Sequence, residues 1–302
     1  MASKARGAGQ KGWLWPAFAS PGLLWLTLLF LVPFYAIFSI AMGYLDPVLN
    51  FALPVWNPAQ WDPSIFGQVW GEVFGGQLGR ISLRTVAYVA VASGLCIAIG
   101  YPVAYYIARR SGKRKTLLLV LLLAPFWINY LMRMLAWVNL LGNDGYVNRL
   151  LMFFGVLDAP RDWLVGLPET VILGLVYGYI PFFILPLYAA LDRIDNRVLE
   201  AARDLGATPW QTFRRVTIPL SKQGILAGTV IIMLPMFGDY YTNQLLSGNP
   251  KTRMIGNEIE SAITSGVNLP RGAALTVLLM LFVAILMVYY LFSVTRASRE
   301  VS

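Results

Sequence analysis

Long apolar stretches separated by short charged connections organise this chain. Residues 12–45, 85–108, 170–191 and 272–295 contain no Asp, Glu, Lys or Arg, while 116–143 is interrupted only by Arg133 and 223–250 only by Asp239. A bilayer core needs roughly 20 apolar residues per helix, and a charge at its centre costs several kcal/mol. The pattern predicts six spanning helices, over about 21–45, 83–108, 116–141, 170–191, 223–247 and 272–295. An N-terminal segment, 1–20, precedes them and a short tail, 300–302, follows. The fold class is therefore an all-α integral membrane protein. Lys4, Arg6 and Lys11 ahead of an apolar run also describe a signal peptide, but the run from Pro21 to Leu45 exceeds the roughly 7–15 residues of a signal core. It is read as an uncleaved anchor.

The connections carry charge unevenly. The N-terminal segment, residues 109–115, residues 192–222 and the C-terminal end together hold 16 Lys and Arg against five acids, and the alternate connections hold seven against nine. Because cytoplasmic loops retain Lys and Arg, both termini are placed in the cytoplasm. The overall charge of +9 thus records topology. Its cations sit in tight loops beside the membrane, where anionic lipid is the nearer partner, and a nucleic-acid role is excluded.

Composition narrows the chemistry. With 57% hydrophobic and 13% charged residues the chain is no ordinary soluble enzyme, and with no histidine it lacks His-based metal sites and His general bases. Cys96, alone among Leu95 and Ile97, reads as a small buried hydrophobe. Gly112-Lys113 is followed by Arg114, so no phosphate-binding Walker loop is present and the chain itself is not expected to hydrolyse ATP. The glycine pairs Gly174/Gly178 and Gly224/Gly228 suit close helix packing. On the outer side Trp56, Trp61, Phe66 and Trp70 suit an interfacial aromatic belt, and Met254, Ile255, Ile259 and Ile263 predict a short amphipathic helix.

Residues 192–222 link the fourth and fifth spans and are punctuated as a folded element. Asp195 and Asn196 offer N-caps for a helix through Leu199, Ala202 and Leu205, which Gly206 ends in a left-handed residue. Thr208, Pro209 and Gln211 then supply the cap, first position and capping box of a second helix, with Pro219 as its stop. A paired helix beside the membrane suits receipt of force from a soluble partner better than reading of DNA.

Glu200-Ala201-Ala202, three residues, Gly206, nine residues, then Val216, Ile218 and Pro219 resemble the EAA signature of ABC importer permeases. The resemblance implies the type I (MetI-like) permease fold. It implies a coupling role for Glu200, Ala201, Ala202, Gly206 and Pro219, in a loop that enters a groove of a cytoplasmic ATPase. Pro125-Phe126-Trp127, Arg133, Ala136-Trp137, Leu140-Leu141-Gly142, Gly145 and Asn148, followed by Pro181-Phe182, Ile255-Gly256-Asn257 and Gly272-Ala273-Ala274, resemble the spermidine and putrescine permease branch (PotB/PotH). That branch implies a PotC-like second permease, a PotA-like ATPase dimer that holds the ATP and magnesium, a PotD-like extracellular binding protein and a bacterial inner-membrane location. No cofactor is expected on this chain. Related permeases carry ferric iron or phosphonates, and Arg271, in a segment where polyamine permeases usually show Trp-Pro-Phe, is a departure that could disfavour polycations.

Intramembrane ionisable residues mark function by default. Asp239 is a candidate for binding a cation, with Tyr240, Tyr241, Trp127 and Trp137 offering cation–π surface. The competing reading pairs Asp239 with Arg133 as a structural bridge. Ion coupling through these two residues would make the chain a secondary transporter, and an intramembrane enzyme would need clustered acids or histidines that the sequence lacks.

Overall fold

The computed structural model describes residues 14–46, 52–265 and 268–299. Lys4, Arg6 and Lys11, the first part of the N-terminal segment and the 300–302 tail lie outside the described residues. Among the described residues five helices are long and apolar enough to cross a membrane: Phe18–Ala41, Gln77–Arg109, Pro168–Asp192, Pro209–Phe237 and Leu269–Ser293. The third of the six expected spans is a bent pair, Gly112–Trp127 and Tyr130–Leu141, which meet at 87°.

Several boundaries differ from those the charge pattern predicts, the second span starting at Gln77 rather than residue 83, and in the first, third and fifth spans the difference has a local reason. The first span ends at Ala41 rather than residue 45, because Tyr44–Leu45 pairs antiparallel with Ala52–Leu53 in a small hairpin. The third span breaks where Pro125 tightens the last turn, Ile128 is extended, and the Asn129 side chain accepts a bond from Leu131 N to begin the next helix. The fifth span begins at Pro209 and stops at Phe237, so Asp239 lies beyond the helix and not within it.

Pro219 does not stop the loop's second helix. A π turn, Phe213–Thr217, directly precedes Ile218–Phe237, and the chain runs through as one helix. Proline lacks an N–H and crowds the carbonyl four residues back, and a wider turn placed there relieves both. The first span repeats the device, its π turn Thr27–Leu31 standing two residues before Pro33.

The second, fourth and fifth spans form the core, with Val89, Ala92, Cys96, Val171, Leu175, Leu187, Ile232 and Met236 all buried. Phe183 is its central knob. A Cβ at Gly100 would stand 2.7 Å from its ring, and one at Gly228 would stand 2.8 Å from the ring and 2.9 Å from its backbone carbonyl. The two glycines are therefore the hollows that admit Phe183. Gly228→Val should destabilise the solubilised protein by about 2 kcal/mol, within the range for overpacked cores, because a backbone carbonyl cannot rotate away. A thermal-unfolding midpoint in detergent equal to the parent's would disprove this packing role. The first and sixth spans leave most of their apolar side chains uncovered, as lipid-facing helices do. Val69 of the helix Ser64–Gly75 and Ile255 of the amphipathic helix Ile255–Thr264 join Ala274 and Leu275 in a second cluster.

Candidate functional site

The two helix interruptions face each other. The break before Tyr130 and the break at Gly238–Tyr240 line one cavity of about 360 Å³, together with Gly178, Tyr179 and Phe182 of the fourth span. Irregular backbone among membrane helices is tolerated where protein buries it or where it lines a cavity, and discontinuous helices mark binding sites in transporters. A second cavity, about 430 Å³ between the helix Ser64–Gly75 and the second and sixth spans, is lined by apolar side chains with Ser82 and Thr85 and by no charged one, so nothing there would pair with a charged solute.

Asp239 is 7% exposed. Its Oδ1 accepts from the Thr242 backbone N–H at 2.9 Å, which starts the short helix Tyr241–Leu246. Its Oδ2 accepts from the Thr242 hydroxyl at 2.7 Å and the Tyr179 hydroxyl at 2.9 Å, and lies 3.0 Å from the Tyr130 hydroxyl. Tyr130 also lies 2.5 Å from Thr242 Oγ1, and with one proton it donates to one of the two at a time. A carboxylate offers about four lone pairs, and Oδ1, with one bond, keeps one free. The expected glycine pair serves this cluster: a Cβ at Gly178 would meet the Tyr130 ring at 2.9 Å, and one at Gly174 would meet Thr242 Cγ2 at 2.5 Å.

Arg133 lines the same cavity but forms no ion pair with Asp239, so the structural bridge considered from the sequence is absent. Its guanidinium carbon sits 4.1 Å from the Phe126 ring centroid and 5.4 Å and 5.7 Å from those of Tyr130 and Tyr177. Tyr240 and Tyr241 both line the cavity, with ring centroids 4.0 Å apart. The two tryptophans do not. Trp127 is 80% exposed at the break, and Trp137 packs edge-on against Tyr177 at 5.3 Å. Arg271 is not a free cation, since its Nη2 is 2.6 Å from Glu72 Oε2.

Sequence reading missed Tyr130, Tyr179 and Thr242. Two of the three had a signal. Asn129 and Asp239 are each placed to cap the helix that follows, and Pro235 and Gly238 mark the stop of the helix before Asp239. Tyr179, within an unbroken apolar run, had none.

On the opposite side of the fold, the helix Asn196–Asp204 starts at Asp195, whose side chain accepts from Arg197 N at 2.9 Å. It ends in a Schellman arrangement, with Gly206 N–H bonded to Arg203 O at 2.8 Å and Ala207 N–H to Ala202 O at 3.1 Å. This places Gly206 at φ +86°. Thr208 and Gln211 form the reciprocal capping box of the next helix. Arg109, at the end of the second span, donates to Asn196 Oδ1 and to the carbonyls of Leu191 and Ile194, while Phe213 packs edge-on against Tyr101 and Tyr105. The loop is thus anchored at both ends to the second span. Glu200, Ala201, Gly206 and Pro219 are exposed and Ala202 is half-buried. Beside them Leu205, 89% exposed, and Trp210, 67% exposed, present apolar side chains on a polar loop.

Residues 97–299 match the family of binding-protein-dependent transport system inner membrane components. The chain belongs to that family. This permease is 36% identical to the spermidine/putrescine transport system permease protein PotB of Haemophilus influenzae, over 88% of the chain and 89% of that protein. It is 38% identical to PotB of Escherichia coli, over 73% of the chain and 78% of that protein. Its fold is that of a permease chain in the crystal structure of a bacterial alginate ABC transporter in complex with an alginate pentasaccharide-bound periplasmic protein, with a TM-score of 0.73, 18% identity and 93% of each chain covered. The permease is a multi-pass inner-membrane protein, and the family signature noted between its fourth and fifth spans agrees with the match.

Proposed function

We propose that this permease forms half of the translocation pore of an ATP-driven importer of spermidine and putrescine. The observation that carries the reading is the extended similarity to two PotB permeases, 36% and 38% identical. Its partners in this reading are a PotC-like second permease, a PotA-like ATPase dimer and a PotD-like binding protein, with both termini in the cytoplasm. The ATP and magnesium belong to the ATPase, and this chain does no bond chemistry.

Coupling runs through the loop. Leu205 and Trp210 offer apolar contact to the ATPase, Ala201 allows close approach, and Glu200, exposed and without an ion partner among the described residues, is available to a cation of the ATPase. Movement of the loop transmits directly, since its second helix is the beginning of the fifth span and that span ends at the cavity. In the cavity the free lone pair of Asp239 takes a substrate ammonium, and Tyr240 and Tyr241 supply ring faces for the methylene chain and charge. Two states, with the cavity open outward or inward, are biased by binding protein and ATP.

Proteoliposomes holding both permeases and the ATPase, supplied with binding protein, should take up spermidine with ATP and continue in the presence of a protonophore. Uptake by this chain alone, driven by an ion gradient, would overturn the importer reading.

A further inference from the structure

The second span runs from Gln77 to Arg109, and Arg109 is bonded to Asn196 of the loop 192–222, so Arg80 and Arg84 stand at the far end of that span. Lys251 and Arg253 belong to the connection that follows the fifth span, on the same side. Of the seven Lys and Arg in the connections of that side, these four meet in one pocket of about 360 Å³, which contains a single acid, Glu258. Arg84 ties the two elements together by donating to the carbonyls of Pro250 and Lys251. Arg253 lies 3.5 Å from Glu258. Arg80 and Lys251 are exposed and have no ion partner among the described residues, whereas Arg161 and Arg271 of the same side are each paired with a glutamate. Four cations held together against one acid repel one another, and the potential they build attracts an anionic partner.

A polyammonium cargo is not that partner, since it meets like charge here, and the pocket shares no lining residue with the cavity beside Asp239. The two are joined through the backbone instead. The Thr252 carbonyl accepts from the buried Asn243 Nδ2 at 2.7 Å, and Asn257 donates to the Tyr240 carbonyl at 2.9 Å. Gly256 lies so close to the break that a Cβ there would stand 2.7 Å from Gly238 O and 2.8 Å from Asp239 O. A partner seated on Lys251 and Arg253 therefore bears on the segment that borders the cavity. The charge of the partner follows from the charge of the cargo. A protein that takes a polyammonium from water holds it with carboxylates, because hydrogen bonds between ionised groups are the strong ones, and the rim of its cleft is acidic. We infer that this pocket receives acidic side chains of the binding protein that delivers the amine, with Arg80 and Lys251 as the free cations they meet. The inference rests on the importer reading and names the surface through which its extracellular partner docks.

Proteoliposomes of phosphatidylcholine alone, holding both permeases and the ATPase, test it through the concentration of spermidine-loaded binding protein that half-saturates uptake. With Arg80→Gln and Lys251→Gln combined, that concentration should rise about fivefold, the scale of two exposed ion pairs, and most of the lost uptake should return at saturating binding protein. Neither side chain makes an ion pair within the described residues, so the substitutions spare the fold. Arg80→Lys combined with Lys251→Arg keeps both charges and should behave as the parent does. Added salt should weaken docking more steeply in the parent than in the glutamine variant. An unchanged half-saturating concentration in the glutamine variant, or a salt dependence equal to the parent's, overturns the inference. A difference between variant and parent that arises only when phosphatidylglycerol is added to the liposomes also overturns it, and assigns the pocket to a lipid headgroup. The importer reading fails by a different result, the absence of ATP-driven spermidine uptake by the parent complex at every concentration of binding protein.

Discussion

Gly206→Val should leave the permease in the membrane at its normal level and reduce ATP-driven uptake at least about tenfold. The residue stands at φ +86°, where the two Schellman bonds to Arg203 and Ala202 depend on it. A side chain in the left-handed region costs roughly 1–2 kcal/mol, and more when branched at Cβ. Nothing lies within 4 Å of a Cβ built there, so the cost is conformational and not steric. The helix before it keeps its N-cap at Asp195 and its anchor at Arg109, and the fifth span starts at its own capping box. The damage is therefore confined to the turn, which sets the angle between the two loop helices and the placement of Leu205. The ATPase should copurify less well. Gly206→Asn separates two causes, because asparagine tolerates this region of backbone space. Coupling retained with asparagine and lost with valine assigns the requirement to φ. Loss with both assigns it to close approach of the ATPase. Normal uptake and copurification with valine would remove Gly206 from the coupling role.

How much of this the sequence disclosed depends on which forces are local. The loop was legible almost residue by residue, since caps, capping boxes and left-handed glycines act over three or four positions: Asp195, Gly206, Thr208 and Gln211 all do what their types favour. The spans were legible in number, because the cost of burying charge in lipid acts on every residue of a run. Their ends were less so. Charge-free length does not register a helix that stops inside an apolar run, and that is how Asp239 came to be placed within the fifth span when Gly238 and Asp239 end it. The same holds for the third span, whose bend at Ile128 and Asn129 carries no charge at all. Pro219 was misread because a π turn can absorb a proline at no cost visible in the pattern. The pairing of Asp239 with Tyr130 and Tyr179 joins residues 109 and 60 positions apart in sequence, and no periodicity records it. Only the packing of the second, fourth and fifth spans, set by Gly100, Gly228 and Phe183, brings the cluster into being.

Asp239→Asn and Asp239→Ala should behave differently, and the difference separates a charge that binds substrate from one that holds the fold. The groups around Oδ2 are hydroxyls, of Tyr179, Thr242 and Tyr130. A hydroxyl accepts as readily as it donates, so an amide placed with its oxygen towards Thr242 N and its NH2 towards the hydroxyls finds partners by rotation of O–H bonds alone. Asparagine is thus expected to assemble normally, with a thermal midpoint near the parent's. What it loses is the charge: the amide oxygen in the place of Oδ1 keeps a second lone pair, but a substrate ammonium would meet a neutral acceptor there in place of an ionised one. Hydrogen bonds to an ionised partner are roughly twice as strong as neutral ones, and uptake of spermidine should fall at least about tenfold, with most of the loss in apparent affinity. Alanine removes every acceptor and leaves the buried Thr242 N–H without one, at about 1–3 kcal/mol, so it should lower stability as well as uptake. If asparagine fails to assemble as alanine does, the carboxylate is a structural element of the break and the ammonium site lies elsewhere. If both assemble and both transport at the parent's rate, Asp239 has no part in the substrate path.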